Sequence, residues 1–255
     1  MRKNTFKQAI VEGRRQIGLW HMIRDTQVTE MLGGCGFDWL VIDCEHTPNS
    51  EADVLAMLQA LNGSPTMPVV RPTCLNVAEI KRLMDVGAQS IIIPYVQTVE
   101  EAELAAAAVD YPPRGIRGVS GGSRSSLYGT VPDYFETVRD EICLIVQVET
   151  VAAMEQLEDI AAVPGIDGIF IGPADLAASM GHPGNPAHPE VMEAITSAMR
   201  RIRAAGKPAG FLSGNQDMLD TVVEAGCVFT AIDIDFLALQ RAARHRLDAC
   251  RRWKG

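Results

Sequence analysis

Trp39-Leu-Val-Ile-Asp-Cys-Glu-His-Thr-Pro48 is the stretch on which the reading of this chain turns. Four apolar residues in succession suit a strand buried on both faces of a parallel sheet, and the core of such a strand does not hold two carboxylates and an imidazole. Asp43, Glu45 and His46 therefore belong at its C-terminal mouth.

Outward from this strand the same alternation recurs. A strand at 16–20 and a helix ending at Gly33-Gly34 precede it; after it, Asn49 or Ser50 caps a helix with Glu51 and Asp53 in the first turn. Strand Met67–Arg71 leads to a helix at 76–86, and a strand at 90–95 leads to helix Val99–Val109. A Gly/Ser loop at 115–129 and a short segment at 132–138 interrupt the rhythm. Strands at 143–148, 166–171, 208–212 and 228–234, each with following helices, restore it, and a terminal helix starts at Phe236. Eight strand–helix units in 255 residues predict an α/β fold in one domain, a closed (β/α)8 TIM barrel. An open doubly wound sheet would announce a Gly-rich dinucleotide turn after its first strand, and Ile17-Gly-Leu-Trp20 offers none.

The bulk properties agree with one large core, at 47% hydrophobic residues. The basic segment 1–16 lacks the apolar stretch of a secretory signal, and apolar runs stay far below the roughly 18 residues of a membrane span. A formal charge of −9 argues against nucleic acid or an anionic membrane as partner. Six cysteines without a CxxC pair read as reduced thiols of a cytoplasmic protein rather than disulfides or zinc ligands. The terminal arginines, Arg241 to Arg252, read as a solvated or subunit-facing helix surface.

Barrel enzymes place their chemistry at the C-terminal strand ends, where this chain's unusual polar residues collect. Asp43, Glu45 and His46 end the second strand, Arg71 the third, and Gln147 and Glu149 the fifth, while Asp175 follows the sixth. Each has a bland reading: Asp175 as a helix cap, Glu149 as a first-turn carboxylate, Arg71 as a structural ion-pair partner, His46 as a turn imidazole bonded to backbone. Their shared edge favours a site. Glu149 and Asp175, on neighbouring strands, suit a hard divalent ion such as Mg²⁺, Mn²⁺ or Co²⁺. Gly172-Pro-Ala-Asp175 opens a helix, leaving N–H groups around Ala174 for a carboxylate, so a bidentate 2-oxo acid is expected. Arg71 would hold the same anion or its enolate oxygen. A histidine side chain is suited to acid/base work near neutral pH, and Asp43 three residues before His46 would orient it as a base. None of Lys3, Lys7, Lys81, Lys207 and Lys254 ends a predicted strand, so a metal rather than a Schiff-base lysine or an organic cofactor is expected to act as electron sink.

These motifs resemble the metal-dependent class II pyruvate aldolases of the HpcH/HpaI family. The resemblance covers nearly the whole chain and rests on Gln16-Ile-Gly-Leu-Trp20, Gly36-Phe-Asp-Trp-Leu40, Asp43 with Glu45-His46, Pro68-Val-Val-Arg-Pro72, Tyr111-Pro-Pro, Gly115-Ile-Arg-Gly-Val119, Val146-Gln-Val-Glu-Thr150 and Gly168-Ile-Phe-Ile-Gly-Pro-Ala-Asp-Leu176. It implies Glu149 and Asp175 as metal ligands, Arg71 as pyruvate and enolate stabiliser, His46 with Asp43 as acid/base pair, and Gly172 and Ala174 as pyruvate-binding backbone. Gln147, Trp20 and Leu212 complete the expected substrate-binding set. The reaction implied is reversible aldol cleavage of a 4-hydroxy-2-oxo acid to pyruvate and an aldehyde, in a homo-hexamer (a dimer of trimers) whose terminal helix, about 236–252, is exchanged between subunits. Another enolate-forming lyase or decarboxylating synthase of the family would use the same half-site. His21-Met-Ile-Arg-Asp-Thr26 and Asp233 depart from the family pattern on the aldehyde side, so acceptor specificity does not carry over. Arg124 matches a family arginine that reaches a neighbouring subunit's site; the plain alternative is a mobile loop. Two rivals stand outside this reading. A phosphate-binding barrel isomerase would use Ser213-Gly-Asn215, against repulsion from Asp233 and Asp235; a non-catalytic oxo-acid binding protein would bind metal without turnover.

Overall fold

The computed structural model describes residues 2–253; Met1, Lys254 and Gly255 lie outside the described residues. A helix that the strand–helix rhythm does not announce comes first, α1 (Thr5–Val11). The alternation follows as β1 (Gln16–His21), α2 (Thr26–Gly33), β2 (Trp39–Asp43), α3 (Glu51–Ala60), β3 (Met67–Arg71), α4 (Val77–Asp85), β4 (Ser90–Ile93) and α5 (Val99–Val109). After the Gly/Ser loop, with one 3-10 turn at Arg124–Ser126, come α6 (Tyr134–Glu141) and β5 (Cys143–Val148). The helical segment expected after β5 is broken at Gln156 into α7 (Val151–Glu155) and α8 (Leu157–Ala162). Then follow β6 (Gly168–Ile171), α9 (Pro173–Ser179), α10 (Pro189–Ala204), β7 (Ala209–Leu212), α11 (Gln216–Glu224), β8 (Phe229–Ile234) and α12 (Asp235–Cys250). Among the described residues, the eight strands pair in parallel and in sequence order, and β8 closes onto β1.

Two apolar layers result. Outward-facing Leu40, Ile42, Val70, Ile91, Leu144 and Val146 pack under the helices. Inward-facing Trp39, Val41, Met67, Val69, Cys143, Ile145, Phe170 and Phe229 fill the barrel, as side chains on alternate residues must when a sheet closes on itself. Gly18 makes room for the largest of these, since a Cβ there would lie 2.4 Å from the Trp39 ring.

The N-terminal end of the barrel is sealed by α1. Asn4 caps it by accepting from Lys7 N and is itself tied down through Nδ2 to Ser90 Oγ at 2.9 Å. Phe6 and Ile10 are fully buried, with the Phe6 ring 5.3 Å from Trp39 and edge-on to Phe229 at 5.7 Å. From that floor an aromatic column rises through Phe229 and Phe170 (6.2 Å) to Trp20 (5.4 Å further). No helix of the described residues is long and apolar enough to cross a membrane.

Candidate active site

The alternation that places Trp39 and Val41 inside β2 places Asp43 inside as well, and the same count along β3 and β5 delivers Arg71 and Gln147. Asp43 and Arg71 are register partners on adjacent strands, so their side chains meet at once. Arg71 Nε and Nη2 donate to the two Asp43 oxygens, each at 2.8 Å. The pair is almost dry, with Asp43 fully buried and the Arg71 side chain 8% exposed. Trp20 lies beneath it, the guanidinium carbon 4.7 Å from the ring centroid. Asp43 Oδ1 also accepts from Glu45 N at 3.0 Å, and the Asp43 carbonyl accepts from Thr47 Oγ1 and from Asn49 Nδ2 (2.6 Å). Such a pair contributes little net stability; what it supplies is a cation fixed in direction, with Nη1 left over.

Nη1 faces the acidic half of the mouth. It lies 2.6 Å from Glu45 Oε2 and donates to Gln147 Oε1 at 3.4 Å. The Glu45 contact is an attraction of charges without hydrogen-bond alignment, and that oxygen is buried with no directed donor. Gln147 Nε2 passes the chain on to Glu149 Oε2 at 3.0 Å, while Glu149 Oε1 accepts from Tyr95 N at 2.8 Å. Tyr95 holds a left-handed backbone, φ 57°, which aims that N–H; for a bulky residue this is strained and marks a constrained place.

Glu149 is the electrostatic centre of this end. Burial pushes its carboxyl up to about 7, the Tyr95 N–H draws it back, and Asp175 and Glu45 push it further. Burial likewise raises Glu45, against Arg71 and His46, with Asp43 and Asp175 adding to the rise. Carboxylates crowded in this way, one carrying an undirected buried oxygen, fit a cation. Gly172 completes the cradle: a Cβ there would lie 1.9 Å from Glu149 Oε2. It is the N-cap residue of α9, with Pro173 next and no side-chain cap, so early N–H groups of that turn are free.

A sequence profile of the HpcH/HpaI aldolase/citrate lyase family matches residues 16–242. The chain belongs to the HpcH/HpaI family. It is 50% identical over 244 residues to a hydroxypyruvate/pyruvate aldolase of Sagittula stellata, covering 96% of each chain. It is 49% identical over 242 residues to a 4-hydroxy-2-oxo-heptane-1,7-dioate aldolase of Salmonella dublin, covering 94% of this chain and 92% of that one. The crystal structure of an HpcH/HpaI aldolase/citrate lyase family protein from Burkholderia cenocepacia superposes with a TM-score of 0.94 at 35% identity, covering 98% of this chain and all of that one. Aldolases of this family are carbon–carbon lyases.

Within this family member, the residues expected from the sequence do not all stand where the sequence spacing put them. Arg71, Gln147 and Glu149 form one connected chain. Asp175 occupies the exposed first turn of α9, near enough to raise both Glu149 and Glu45, and Ala174 beside it is exposed. Leu212 ends β7 half-buried. Trp20 is only 2% exposed and its ring lies against the Arg71 guanidinium. The expected hold of Asp43 on His46 is corrected: the Asp43 oxygens accept from Arg71 and Glu45 N, and the carboxylate nearest His46 is Glu45, 3.7 Å from Nε2. The reason is the period of two, which turns residues 43 and 45 inward and leaves the His46 side chain 60% exposed at the rim.

Of the residues expected to depart from the family pattern, Asp233 pairs with Arg241 and Arg24 with Asp53 at 2.9 Å; Arg124, expected to match a family arginine, donates to Val86 O of its own chain at 2.8 Å. The described lysines lie elsewhere: Lys3 pairs with Glu141, Lys7 and Lys207 donate to the Ile142 and Ile166 carbonyls, and Lys81 sits in α4. One member of the site was beyond sequence reasoning: the Tyr95 N–H carries no side-chain signal at all, whereas the place of Glu45 against Arg71 was available from its spacing of two from Asp43.

Proposed function

We propose that this protein catalyses reversible, divalent-metal-dependent aldol cleavage of a 4-hydroxy-2-oxo acid, giving pyruvate and an aldehyde. The observation that carries the reading is Glu149: a buried carboxylate raised to about 7 by burial and by its acidic neighbours, joined through Gln147 by two hydrogen bonds to a fixed arginine. Glu149 and Asp175 would hold Mg²⁺, Mn²⁺ or Co²⁺, and the ion when bound supplies Lewis acidity for the enolate charge that C3–C4 cleavage releases.

The chain's own groups do the rest. Arg71, gripped by Asp43 and backed by Trp20, presents Nη1 to the oxo-acid anion and to charge developing on the 2-oxo oxygen, with no reorganisation at the moment of reaction. Gly172 and Ala174 offer backbone N–H to the carboxylate, and Gln147 holds Glu149 in place. His46 at the rim takes the 4-hydroxyl proton as the C3–C4 bond breaks and returns a proton to C3 of the enolate once the aldehyde has formed, with Glu45 as its carboxylate partner; Asp43 acts through Arg71 and through the Glu45 N–H. Leu212 lies on the aldehyde side, where Arg24, Asp53 and the Asp233–Arg241 pair alter the rim and the choice of acceptor.

The active assembly is a homo-oligomer, a hexamer by family resemblance, joined through α12. That helix is exposed along most of its length, with Phe236, Leu239 and Leu247 outward. It leaves a groove of about 430 Å³ outside the β8–β1 seam, lined by Ile17, Leu219, Val223 and Ile232, where a (β/α)8 barrel carries its eighth helix. The α12 of a second copy fits that groove. A cytoplasmic location accords with six unpaired cysteines.

The test is pyruvate release from a panel of 4-hydroxy-2-oxo acids, with and without a chelator. Turnover that depends on added divalent metal is expected; full activity after complete metal removal overturns the mechanism. Hydroxypyruvate as the enolate donor, suggested by the name of the Sagittula relative, is an arm of the same panel.

A further inference from the structure

The loop joining α9 to α10 gathers a second set of metal-ligating side chains that shares no residue with the mouth. The His182 and His188 rings stack with centroids 3.6 Å apart and planes at 15°. Glu190, in the first turn of α10, brings Oε2 to 2.9 Å from His182 Nε2. Its backbone N–H donates to His188 Nδ1 across 3.3 Å, a long bond that yields readily to a stronger partner. Ligand atoms of the three residues lie within 4.8 Å of one another, and among the described residues no other His, Cys, Asp or Glu group of three does so.

The backbone holds this set in place. His182 N donates to Ala177 O of α9 at 2.8 Å, Asn185 N to His182 O at 3.0 Å, and His188 N to Asn185 O at 3.1 Å. Pro183, Pro186 and Pro189 fix φ at three further points of the segment. The imidazoles are thus brought together by a hydrogen-bonded turn rather than by chance contact of two long side chains.

Two imidazole nitrogens and one carboxylate oxygen form a donor set unlike that of Glu149 and Asp175. Hard ions favour the oxygen pair, whereas imidazole suits borderline ions, which three protein ligands and a water hold well. We propose that His182, His188 and Glu190 form a second divalent-metal site, selective for a borderline transition ion such as Zn²⁺, that ties the loop after α9 to the first turn of α10. Because Ala177 of the same helix anchors the loop, occupancy stiffens the helix whose first turn carries Asp175.

The experiment is equilibrium dialysis of the whole protein against Zn²⁺ alone, with bound metal counted per chain, on wild type and two variants. His182→Phe keeps an aromatic ring in the stack and removes a ligand. Glu190→Gln alters an exposed side chain and leaves the fold untouched. Wild type is expected to bind one equivalent more than His182→Phe, and Glu190→Gln to weaken that equivalent about tenfold or more. The Zn²⁺-induced rise in Tm should shrink in both variants. Equal stoichiometry and affinity in all three proteins overturn the proposal. Pyruvate release measured with Mg²⁺ alone is expected to stay near wild type in both variants, so a failure here is distinct from a failure of the aldolase reading.

Discussion

The two ends of the barrel are built from the same strands and are buried almost equally, yet they differ in what they bury. At the floor, Phe6, Trp39 and Phe229 are wholly enclosed and pack together in one apolar cluster. At the mouth, Asp43, Arg71, Gln147 and Glu149 are enclosed nearly as completely, but every one is charged or amide-bearing and bound to the next. The floor stabilises by removing apolar surface from water. The mouth works against stability, since charges taken out of water repay their desolvation poorly. Burial alone therefore does not find the site; burial of polar groups on successive inward positions does.

The sharpest way to break this contrast is Arg71→Lys. Lysine keeps the charge but cannot fork onto Asp43 while presenting a third nitrogen, so kcat/KM for aldol cleavage is expected to fall about 10³-fold. A variant retaining a tenth of wild-type activity would show that the fixed direction of the cation is unimportant. At the other end, Phe6→Ala removes a ring from the sealed floor and is expected to cost about 3–5 kcal/mol in denaturant unfolding, with kcat of the folded protein unchanged. Lost kcat at unchanged stability would mean that floor and mouth are not separable.

The smallest effect concerns pH. Glu149 is raised to about 7 in the folded protein from the ordinary value of 4.5. Between those two values the folded state holds the proton that the unfolded chain has released. Stability of the metal-free protein therefore falls as pH rises from about 4.5 to about 7 and levels off above, by about 3 kcal/mol in all. Glu149→Gln should remove that fall, making the chelated variant more stable than chelated wild type at pH 8 while abolishing activity. Parallel pH–stability curves for the two proteins would contradict the assignment of Glu149 as the strained carboxylate.

The barrel was legible because its signals are local. Apolar runs ending in polar residues marked β2, β3 and β5, and Ser50 with Asp53 marked the start of α3 through a capping box that the structure contains. The α1 plug escaped because Phe6 and Ile10 are two apolar residues on a short basic segment, and their partners, Trp39 and Phe229, lie far away in sequence. At the mouth, residue types and the shared strand edge pointed to the right neighbourhood, but partnership did not follow from proximity along the chain. His46 is three residues from Asp43, yet Asp43 bonds to Arg71, twenty-eight residues on.

The sequence by itself determined the eight-fold alternation, the edge on which the polar residues gather and the family to which the chain belongs. Only the tertiary structure decided who holds whom: Asp43 on Arg71, Gln147 on Glu149, the Tyr95 N–H on the same carboxylate, and α12 swung clear of its own barrel. The physical reason is the closure of the sheet. Periodicity tells which side of a strand a residue faces, but strand register and barrel closure set which inward residues meet, and those are properties of all eight strands together.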